Sequence, residues 1–517
     1  MPCPYLRRAN AVGAQVTAPP VASHPTAGTG AVPATNASAL RKVGDESMFV
    51  NAAGEPDFPS GLVMMAKKIP KDAGLGYYTS YRQDGDGNTL EKRVVLCTRP
   101  EFIERIMAEN TEHYLWGGIE PASVAFFGAR VLFVLEGEEW SALRQTMRPV
   151  LLPGNLPMVA TDIAGASRLM RDKVMIHAEK GEVIDVQLLH QCYHLSAVSE
   201  ALYSTNLPAL EHFPGKHVVH ESFNLMLEEL ARRAFAPDRQ LQFDYTSRTE
   251  DNELWNSNRD IVHDSVMTNL RDRIRGTTQS AKGGAAGDML QQLIDAHKED
   301  HPDMTPEKTE EYLAANLVEL LFAGYNTVVN TMSTAVWLLS QNPDKLAVVR
   351  QEVDRIMKGK EVPTFADIEE MDYLSAVMDE TLRLYSPTPA IGRKLEQDTQ
   401  LGAVLVPKGQ EIMMPMCAVH RDSQYWDEPT AFRPERFAEP VTRGSWMPFS
   451  DGPRRCLGQH YARVVFKLAM VQHIMHFDYS PAEHSRFSTA FNGFGSMVFD
   501  DHTSKASLRM VVRKRQR

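Results

Sequence analysis

Phe449-Ser-Asp-Gly452-Pro-Arg454-Arg-Cys456-Leu-Gly458 is the stretch of this 517-residue sequence that says most about its fold. Cys456 stands just before a predicted helix, whose N-terminal amides and positive end would stabilise a thiolate. Gly452 and Gly458 allow the backbone to approach a flat, bulky group. Arg454 offers a fork for a carboxylate, and Phe449 can cover the sulfur from water. Without the rest of the pattern, a buried free cysteine would be the simpler interpretation.

The spacing of the whole segment resembles the cysteine-loop signature F-x-x-G-x-R-x-C-x-G of the cytochrome P-450 family. The resemblance implies that the protein binds haem b (iron protoporphyrin IX), with Cys456 as the axial ligand of the iron. It also implies that Arg454 pairs with a haem propionate. A thiolate ligand pushes electron density onto the iron and favours O–O cleavage.

Two further segments match the family in the same order along the chain. Glu380-Thr-Leu-Arg383 resembles its E-x-x-R motif, and at spacing i, i+3 the two side chains share a helix face. The alternative is a solvated ion pair of little energetic value. Pro434-Glu-Arg436-Phe resembles the family's P-E-R-F. The resemblance therefore implies that Glu380, Arg383 and Arg436 form a structural triad that shapes the haem-binding core.

The segment from His420-Arg-Asp422 to Trp426 is similar to the family's H-R-D…W stretch, with a solvated loop as the alternative. Trp140-Ser-Ala-Leu-Arg144 resembles the W-x-x-x-R of its third helix. At spacing i, i+4 the indole N–H and the guanidinium can reach one propionate; the alternative is a core aromatic residue beside a surface arginine. Arg393, ten residues after Arg383, stands where many family members place another propionate ligand.

The distal side of the expected haem is Ala323-Gly324-Tyr325-Asn326-Thr327, which resembles the family's A/G-G-x-D/E-T. Gly324 would let O2 and substrate approach the backbone, and Thr327 would hydrogen-bond bound oxygen and help to relay protons. Asn326 departs from the pattern, because an amide can hold water but cannot titrate as the usual acid does. Either the relay runs through Thr327 and water, or the proton supply differs.

The predicted fold is mainly α with small β-sheets (α+β): one large haem domain with a long central distal helix and a cysteine loop. A helix is predicted over 308–340, where Glu319, Asn326 and Asn330 interrupt the apolar run and argue against a membrane span. Other predicted elements are helices over 366–385 and 457–475, strands near 391–414 and 505–513, and a hairpin from Gly76 to Pro100. The hairpin turn lacks the glycine and glutamate of a calcium loop.

Residues 45–517 are assigned to the haem domain and residues 1–44 to a disordered tail or a transit segment, because they carry arginines but no acid. No apolar run near the N-terminus is long enough for a membrane anchor. The net charge of −11 argues against a nucleic-acid partner. Five scattered cysteines without a CxxC pair suggest a reducing compartment. We therefore expect a soluble, cytoplasmic monomer, or an organelle matrix or stroma protein if the N-terminal segment is a transit peptide.

The resemblance implies a monooxygenase that inserts one oxygen atom of O2 into an apolar small molecule. No nicotinamide fingerprint is present, so NAD(P)H electrons would come through a separate ferredoxin- or flavodoxin-like protein or a reductase that docks on the Cys456 side. An isomerase, dehydratase or peroxide-driven enzyme is the alternative, motivated by Asn326, and a non-enzymatic haem sensor is a third. Candidate basic docking residues are Arg144, Arg148, Arg454, Arg455 and Arg463. Expected pocket regions are 111–135 (with Trp116, Phe126 and Phe127), 207–245, 319–327, 386–392 and 491–497; the three aromatics are equally compatible with plain core.

Overall fold

A computed structural model defines the fold of most of the chain. It describes residues 40–49, 58–83, 89–110, 112, 119–203, 205, 207–234, 245, 247–277, 288–483, 485, 490–491, 496–497 and 507–516. The predictions made for residues 1–39, for the hairpin turn at 84–88, for Trp116 and for most of 491–497 lie outside these residues. The first strand covers Lys42–Asp45 and so spans the boundary predicted between tail and domain.

Helices account for most of the described structure, as predicted for a mainly α fold. The α-helices are α1 (Phe58–Ala66), α2 (Pro100–Glu109), α3 (Ile119–Phe127), α4 (Gly137–Met147), α5 (Leu156–Ala178), α6 (Val186–Tyr203), α7 (Val218–Ala234), α8 (Glu250–Ile274), α9 (Met289–Asp300), α10 (Pro306–Gln341), α11 (Pro343–Met357), α12 (Phe365–Glu369), α13 (Asp372–Leu384), α14 (Met416–Val419) and α15 (Gln459–His476).

The strands form small sheets at the edges of this helical body. They are β1 (Lys42–Asp45), β2 (Leu75–Gln83), β3 (Thr89–Cys97), β4 (Val183–Asp185), β5 (Ile391–Lys394), β6 (Thr399–Leu401), β7 (Val404–Val406), β8 (Glu411–Met414), β9 (Phe477–Pro481), β10 (Ala490–Phe491), β11 (Ser496–Met497) and β12 (Arg509–Lys514). The largest sheet has the order β1-β2-β3-β8-β5, and the antiparallel pairing of β2 with β3 confirms the predicted hairpin. A three-stranded sheet has the order β4-β12-β9.

Helix α10 crosses the main hydrophobic core and confirms the predicted long central helix. It begins after Thr305, whose hydroxyl accepts the Lys308 amide at 3.5 Å, and has Pro306 in its first turn, where the missing N–H costs nothing. It ends before Asn342-Pro343, because proline cannot continue the hydrogen-bond ladder. It is long and apolar enough to cross a membrane, but its most apolar 18-residue window is 67% buried, as expected of a core helix.

The helix predicted over 366–385 is instead two helices, α12 and α13. Thr364 and Asp367 form a capping box that starts the first, and Met371 then leaves the helical conformation at φ −91°, ψ 81°. The Glu352 carboxylate accepts the amides of Tyr373 and Leu374 at 2.7 and 2.9 Å. A side chain from α11 therefore satisfies the amides at the start of the second helix, and this contact stabilises the break between α12 and α13.

Candidate active site

The cysteine loop is a tight turn held by backbone contacts on both sides. The Cys456 amide donates to the Phe449 carbonyl at 2.9 Å. Ser450 and Gly452 both have positive φ, of 61° and 68°. The Met447 amide donates to Nε2 of the buried His420 at 3.1 Å. These contacts fix where the cysteine sulfur lies before any group binds to it.

The two glycines of the loop are required for different reasons. A Cβ on Gly452 would lie 2.1 Å from the Met107 carbonyl oxygen, so the α2 backbone leaves no room for a side chain. A Cβ on Gly458 would meet no protein atom within 4 Å, and its φ of −83° is ordinary. Protein packing therefore explains Gly452 but not Gly458, whereas a flat group lying against the loop would explain Gly458.

The Cys456 side chain is exposed, yet burial by surrounding protein is the main influence on its thiol and raises its pKa. Both observations hold if the sulfur borders an internal cavity rather than open solvent. The Gly458 amide and the Arg144 guanidinium act in the opposite direction and favour the thiolate. A metal ion at the sulfur would complete this effect by displacing the thiol proton.

An accessible stripe interrupts the buried surface of α10. Leu320, Ala323, Gly324 and Thr327 are partly or fully accessible, and their spacing of three, four and seven places them on one helix face. Tyr325 and Asn326 are buried beside them. Helix α10 packs against α15, the helix that follows the cysteine loop. The stripe and Cys456 are thus accessible surfaces on neighbouring elements inside the protein.

The Thr327 hydroxyl donates to the Ala323 carbonyl at 2.8 Å, one helical turn earlier. This bond uses the only proton of the hydroxyl and leaves its lone pairs able to accept from a bound molecule or water. A Cβ on Gly324 would lie 3.6 Å from Cε1 of His194 on α6, which is ordinary contact. Gly324 therefore lies at the border between the stripe and α6.

A cluster of arginines adjoins the cysteine loop. Arg393 of β5 is buried, donates to the Gly392 carbonyl at 2.8 Å and to Ser450 Oγ at 3.2 Å, and leaves its Nε without a partner in the described structure. Burial lowers its pKa to about 10. Arg454 has its pKa lowered to about 10 by burial and by the neighbouring Arg393 and Arg144 cations. Concentrated positive charge of this kind is suited to carboxylates.

Trp140 lies between two of these cations. The Arg454 guanidinium is 4.2 Å from the centre of its ring and that of Arg144 is 5.6 Å away. Arg144 also donates to the Arg455 carbonyl, and Arg454 donates to the Leu135 carbonyl at 2.8 Å. The structure therefore brings Trp140, Arg144, Arg393 and Arg454 together near Cys456. The exposed sulfur, the Arg393 Nε and the open face of Gly458 fit a flat macrocycle that carries two carboxylates.

Glu380, Arg383 and Arg436 form one hydrogen-bonded group. Arg383 donates to both Glu380 oxygens at 2.7 and 2.9 Å, and Arg436 Nε donates to Glu380 Oε1 at 3.2 Å. The remaining Arg383 donors reach the carbonyls of His420, Pro429 and Ala431 at 2.7, 2.8 and 3.2 Å. Glu380 and Arg383 are fully buried and Arg436 is partly buried, and the group joins α13 to the chain that leads into the cysteine loop.

His420 and Glu319 were not predicted as catalytic or cofactor-binding residues. Each holds another loop in place by accepting backbone amides from it. His420 and Trp426 are buried, with the Arg383 guanidinium 5.0 Å from the Trp426 ring, so the solvated-loop alternative is wrong for them. Glu319 of α10 accepts the amides of Leu132 and Phe133, the first at 3.0 Å. Burial raises its pKa to about 7. A lone acid in an apolar helical run was the available signal for Glu319.

Phe126 and Phe127 are 1% exposed and belong to an aromatic cluster rather than to an open cavity surface. Their rings lie 6.0 and 4.9 Å from that of Phe322, the residue before the accessible Ala323. Phe223 of α7 lies 6.1 Å from Phe126 in the same cluster. The cluster therefore forms apolar core directly behind the stripe.

The chain resembles a known protein family over most of its length. The profile of the family described as Cytochrome P450 matches residues 88–505. Cytochrome P450 3A12 of Canis lupus familiaris is 25% identical over 406 residues, covering 78% of this chain and 80% of its own length. Cytochrome P450 3A14 of Cavia porcellus is 25% identical, covering 76% and 78%. Cytochrome P450 3A5 of Homo sapiens is 24% identical, also covering 76% and 78%.

Proposed function

This chain belongs to the cytochrome P450 family and is a haem b monooxygenase, and we propose that it inserts one oxygen atom of O2 into an apolar small molecule. We further propose that NAD(P)H supplies the electrons through a separate protein. The observation that carries the proposal is the pairing of an accessible cysteine with an accessible Thr327 stripe on the neighbouring α10.

Haem b, when bound, supplies the redox chemistry that activates O2. In the proposed roles, Cys456 binds the iron, while Arg144, Arg393 and Arg454 hold the propionates. Phe449 covers the proximal side: its ring lies 5.6 Å from the Arg463 guanidinium. Arg463 is itself fixed by Asp379 at 2.7 Å. These two contacts hold Phe449 and Arg463 beside the cysteine loop.

On the distal side, Thr327 is the proposed proton-exchanging residue. Its hydroxyl donates to the Ala323 carbonyl and can accept from water; turning about the Cβ–Oγ bond would let it give that proton to a bound molecule as it takes another from water, so it never holds a charge. Asn326 is 4% exposed and cannot titrate, so it orients neighbours rather than storing a proton. Gly324 keeps the helix surface free of a side chain at the edge of the stripe.

An apolar substrate is favoured by the walls of the site. The aromatic cluster of Phe126, Phe127, Phe223 and Phe322 packs behind the accessible stripe, and Leu320, Ala323 and Gly324 make most of the stripe itself apolar. Binding sites with mainly apolar walls and few polar groups select apolar ligands by burying their surface. The identity of the oxidised carbon is set by contacts that the fold alone does not define.

The proposed electron donor docks beside the cysteine loop. Arg148 and Arg455 are exposed and form no ion pair within the described residues, whereas Arg454 is buried and Arg463 is paired with Asp379. Two free cations on one face would attract an acidic carrier and raise its association rate. We propose a soluble ferredoxin- or flavodoxin-like carrier, and a soluble, cytoplasmic, monomeric enzyme.

The test combines substrate binding, turnover and replacement of the proposed iron ligand, Cys456. Apolar compounds that shift the ferric spin state of the purified holoprotein are incubated with NADPH, a ferredoxin and its reductase under ¹⁸O2. We expect a product that carries one labelled oxygen atom and needs every component. Cys456→Ser should abolish both the product and the red-shifted Soret band of the reduced carbon monoxide complex. Turnover of a hydroperoxide in the absence of product from the complete system would instead favour a peroxide-driven enzyme.

A further inference from the structure

A fully buried histidine lies behind the distal helix. His194 of α6 is 0% exposed, and Cε1 of its ring lies 3.6 Å from the position that a Gly324 Cβ would occupy. Neither of its ring nitrogens has a hydrogen-bond partner within the described residues. Burial lowers the pKa of His194 to about 3, so the ring is neutral and carries one donor and one acceptor.

Two tyrosines beside His194 are also buried, with hydroxyls that lack a hydrogen-bond partner among the described residues. The rings of Tyr325 on α10 and Tyr461 on α15 are centred 6.3 and 6.4 Å from that of His194. They are 0% and 4% exposed, and neither hydroxyl makes a hydrogen bond in the part of the chain described. His194, Tyr325 and Tyr461 are called the buried triad below. Four unsatisfied polar atoms thus lie where α6, α10 and α15 meet.

Leaving such groups bare would be costly. A buried donor or acceptor without a partner costs about 1–3 kcal/mol, so four of them together would offset much of a domain's net stability. Buried polar groups that lack protein partners are usually satisfied by ordered water, which makes two to four hydrogen bonds. Ordered water at the buried triad would satisfy these four atoms.

A group of hydrogen-bonded polar side chains lies between this site and the partly exposed Asn224. Tyr325's hydroxyl lies beside Asn224 on α7 without reaching hydrogen-bond geometry. The Asn224 side-chain amide lies 2.9 Å from Nε2 of His220, which lies 2.9 Å from Gln191 Oε1. Asn224 is half-buried, and Gln191 is three residues before His194 on α6. Hydrogen-bonding groups thus extend from partly exposed Asn224 to the buried triad.

The other side of the buried triad meets α10 at the stripe. Gly324 has no side chain to separate His194 from the helix backbone, and Thr327 lies one turn further on. Asn326, between them, cannot supply protons. We propose that His194, Tyr325 and Tyr461 hold buried waters that pass protons along α10 at Gly324 to Thr327. This inference rests on the proposed function. Each proton handed forward is replaced from the next water, and ultimately from bulk solvent, so no group changes its net charge.

The water-binding part is tested without turnover. Tyr461→Phe in the holoprotein removes one unpartnered hydroxyl, and Tyr193→Phe is the matched control, because its hydroxyl pairs with Ser167 Oγ at 3.0 Å. If water satisfies Tyr461, both variants should lower the melting temperature, and a crystal structure should show ordered water within about 3 Å of the Tyr461 hydroxyl. A raised melting temperature for Tyr461→Phe, with no such water, overturns the inference.

The proton-supply part is tested with the reconstituted NADPH system of the proposed function. His194→Leu has no hydrogen-bonding atom, and His194→Gln keeps a donor and an acceptor. His297→Leu is the control. His297 is also 0% exposed, and neither of its ring nitrogens has a partner among the described residues. It stacks on Tyr312, however, which precedes Gly324 on α10 by more than three turns. All three should keep the carbon monoxide spectrum of the wild type.

For His194→Leu we expect product per NADPH to fall on the order of tenfold, with a matching rise in hydrogen peroxide and a larger solvent isotope effect. His194→Gln should recover most of the coupling, and His297→Leu should match the wild type. Wild-type coupling in His194→Leu overturns the inference while leaving the proposed function intact. If the wild type itself forms no product, the proposed function fails and proton supply fails with it, whereas the melting experiment still decides water binding.

Discussion

The carbonyl oxygen of Met107 lies 2.1 Å from where any side chain at Gly452 would begin, so helix α2 and the cysteine loop share a contact that only glycine permits. Gly452 also has φ of 68°, a conformation that disfavours other residues. Gly452→Ala should therefore lower the free energy of unfolding by about 3 kcal/mol or more and reduce haem content. Chemical denaturation and the haem-to-protein absorbance ratio measure the two effects.

Gly458→Ala is the matched comparison, because a Cβ there meets no protein atom within 4 Å. The variant should unfold like the wild type when both are free of haem, and yet bind haem more weakly. Equal haem affinity in Gly458→Ala and wild type would show that nothing lies against this glycine.

Arg393 should matter more for haem retention than for folding. It is 2% exposed and its pKa is lowered to about 10 by burial, so removing it relieves a buried charge. Arg393→Met should leave the haem-free protein as stable as the wild type or more so. It should speed haem transfer to apomyoglobin by about 10- to 100-fold, the loss expected for one charge-assisted hydrogen bond.

Arg273→Met provides the control for that experiment. Arg273 and Asp288 are 6% and 1% exposed and pair at 2.7 Å, so truncating Arg273 removes the counter-ion of a buried carboxylate outside the cysteine loop. This variant should lose stability and keep the wild-type rate of haem transfer. Faster haem loss in both variants would mean that Arg393 acts only through general stability.

Glu380→Ala should be among the most damaging substitutions in the chain. It removes the carboxylate that pairs with the fully buried Arg383 guanidinium, and with it one of the acceptors of Arg436. Breaking a buried pair from one side costs about 3–5 kcal/mol. We expect little soluble holoprotein from Glu380→Ala, whereas Arg232→Ala, which breaks an exposed pair with Glu229, should express normally.

The anchor formed by Glu319 should depend on pH. Burial raises its pKa from 4.5 to about 7, so the folded protein takes up this proton more readily than the unfolded chain. Its contribution to stability is therefore greatest below pH 4.5 and declines as the pH rises to 7. Glu319→Gln cannot ionise, so its stability relative to the wild type should rise across that interval by on the order of 3 kcal/mol. Urea denaturation at pH 5 and pH 8 measures this difference, and no change between the two pH values would contradict it.

Charge at the proposed docking face should control electron transfer and not haem binding. Arg148→Glu and Arg455→Glu reverse exposed cations without breaking an ion pair in the described structure. Both should slow reduction by an acidic ferredoxin and weaken its dependence on salt. Arg443→Glu is the comparison, because Arg443 is 80% exposed but is already paired with Glu104 at 2.9 Å.

Sequence alone predicted the features that follow from local spacing. The interval between Glu380 and Arg383 is one helical turn, and the apolar run around Leu317 had the length of a central helix. The break at Met371 was missed, since it has no glycine or proline and depends on Glu352 from another helix. Likewise, the bond from Met447 to His420 joins residues 27 positions apart and leaves no periodic trace.

The three-stranded sheet can form only after the end of the chain has been synthesised. Its central strand, β12, is the last of the three to be synthesised, and its edge strands β4 and β9 pair only with it. Leu508 donates to Asp185 across 323 positions of sequence at 3.1 Å. Contacts of such separation close late and slowly. The nascent chain therefore carries two unmatched strand edges until residue 514 has been made, and a ribosome that stalls earlier exposes them to chaperones or to aggregation.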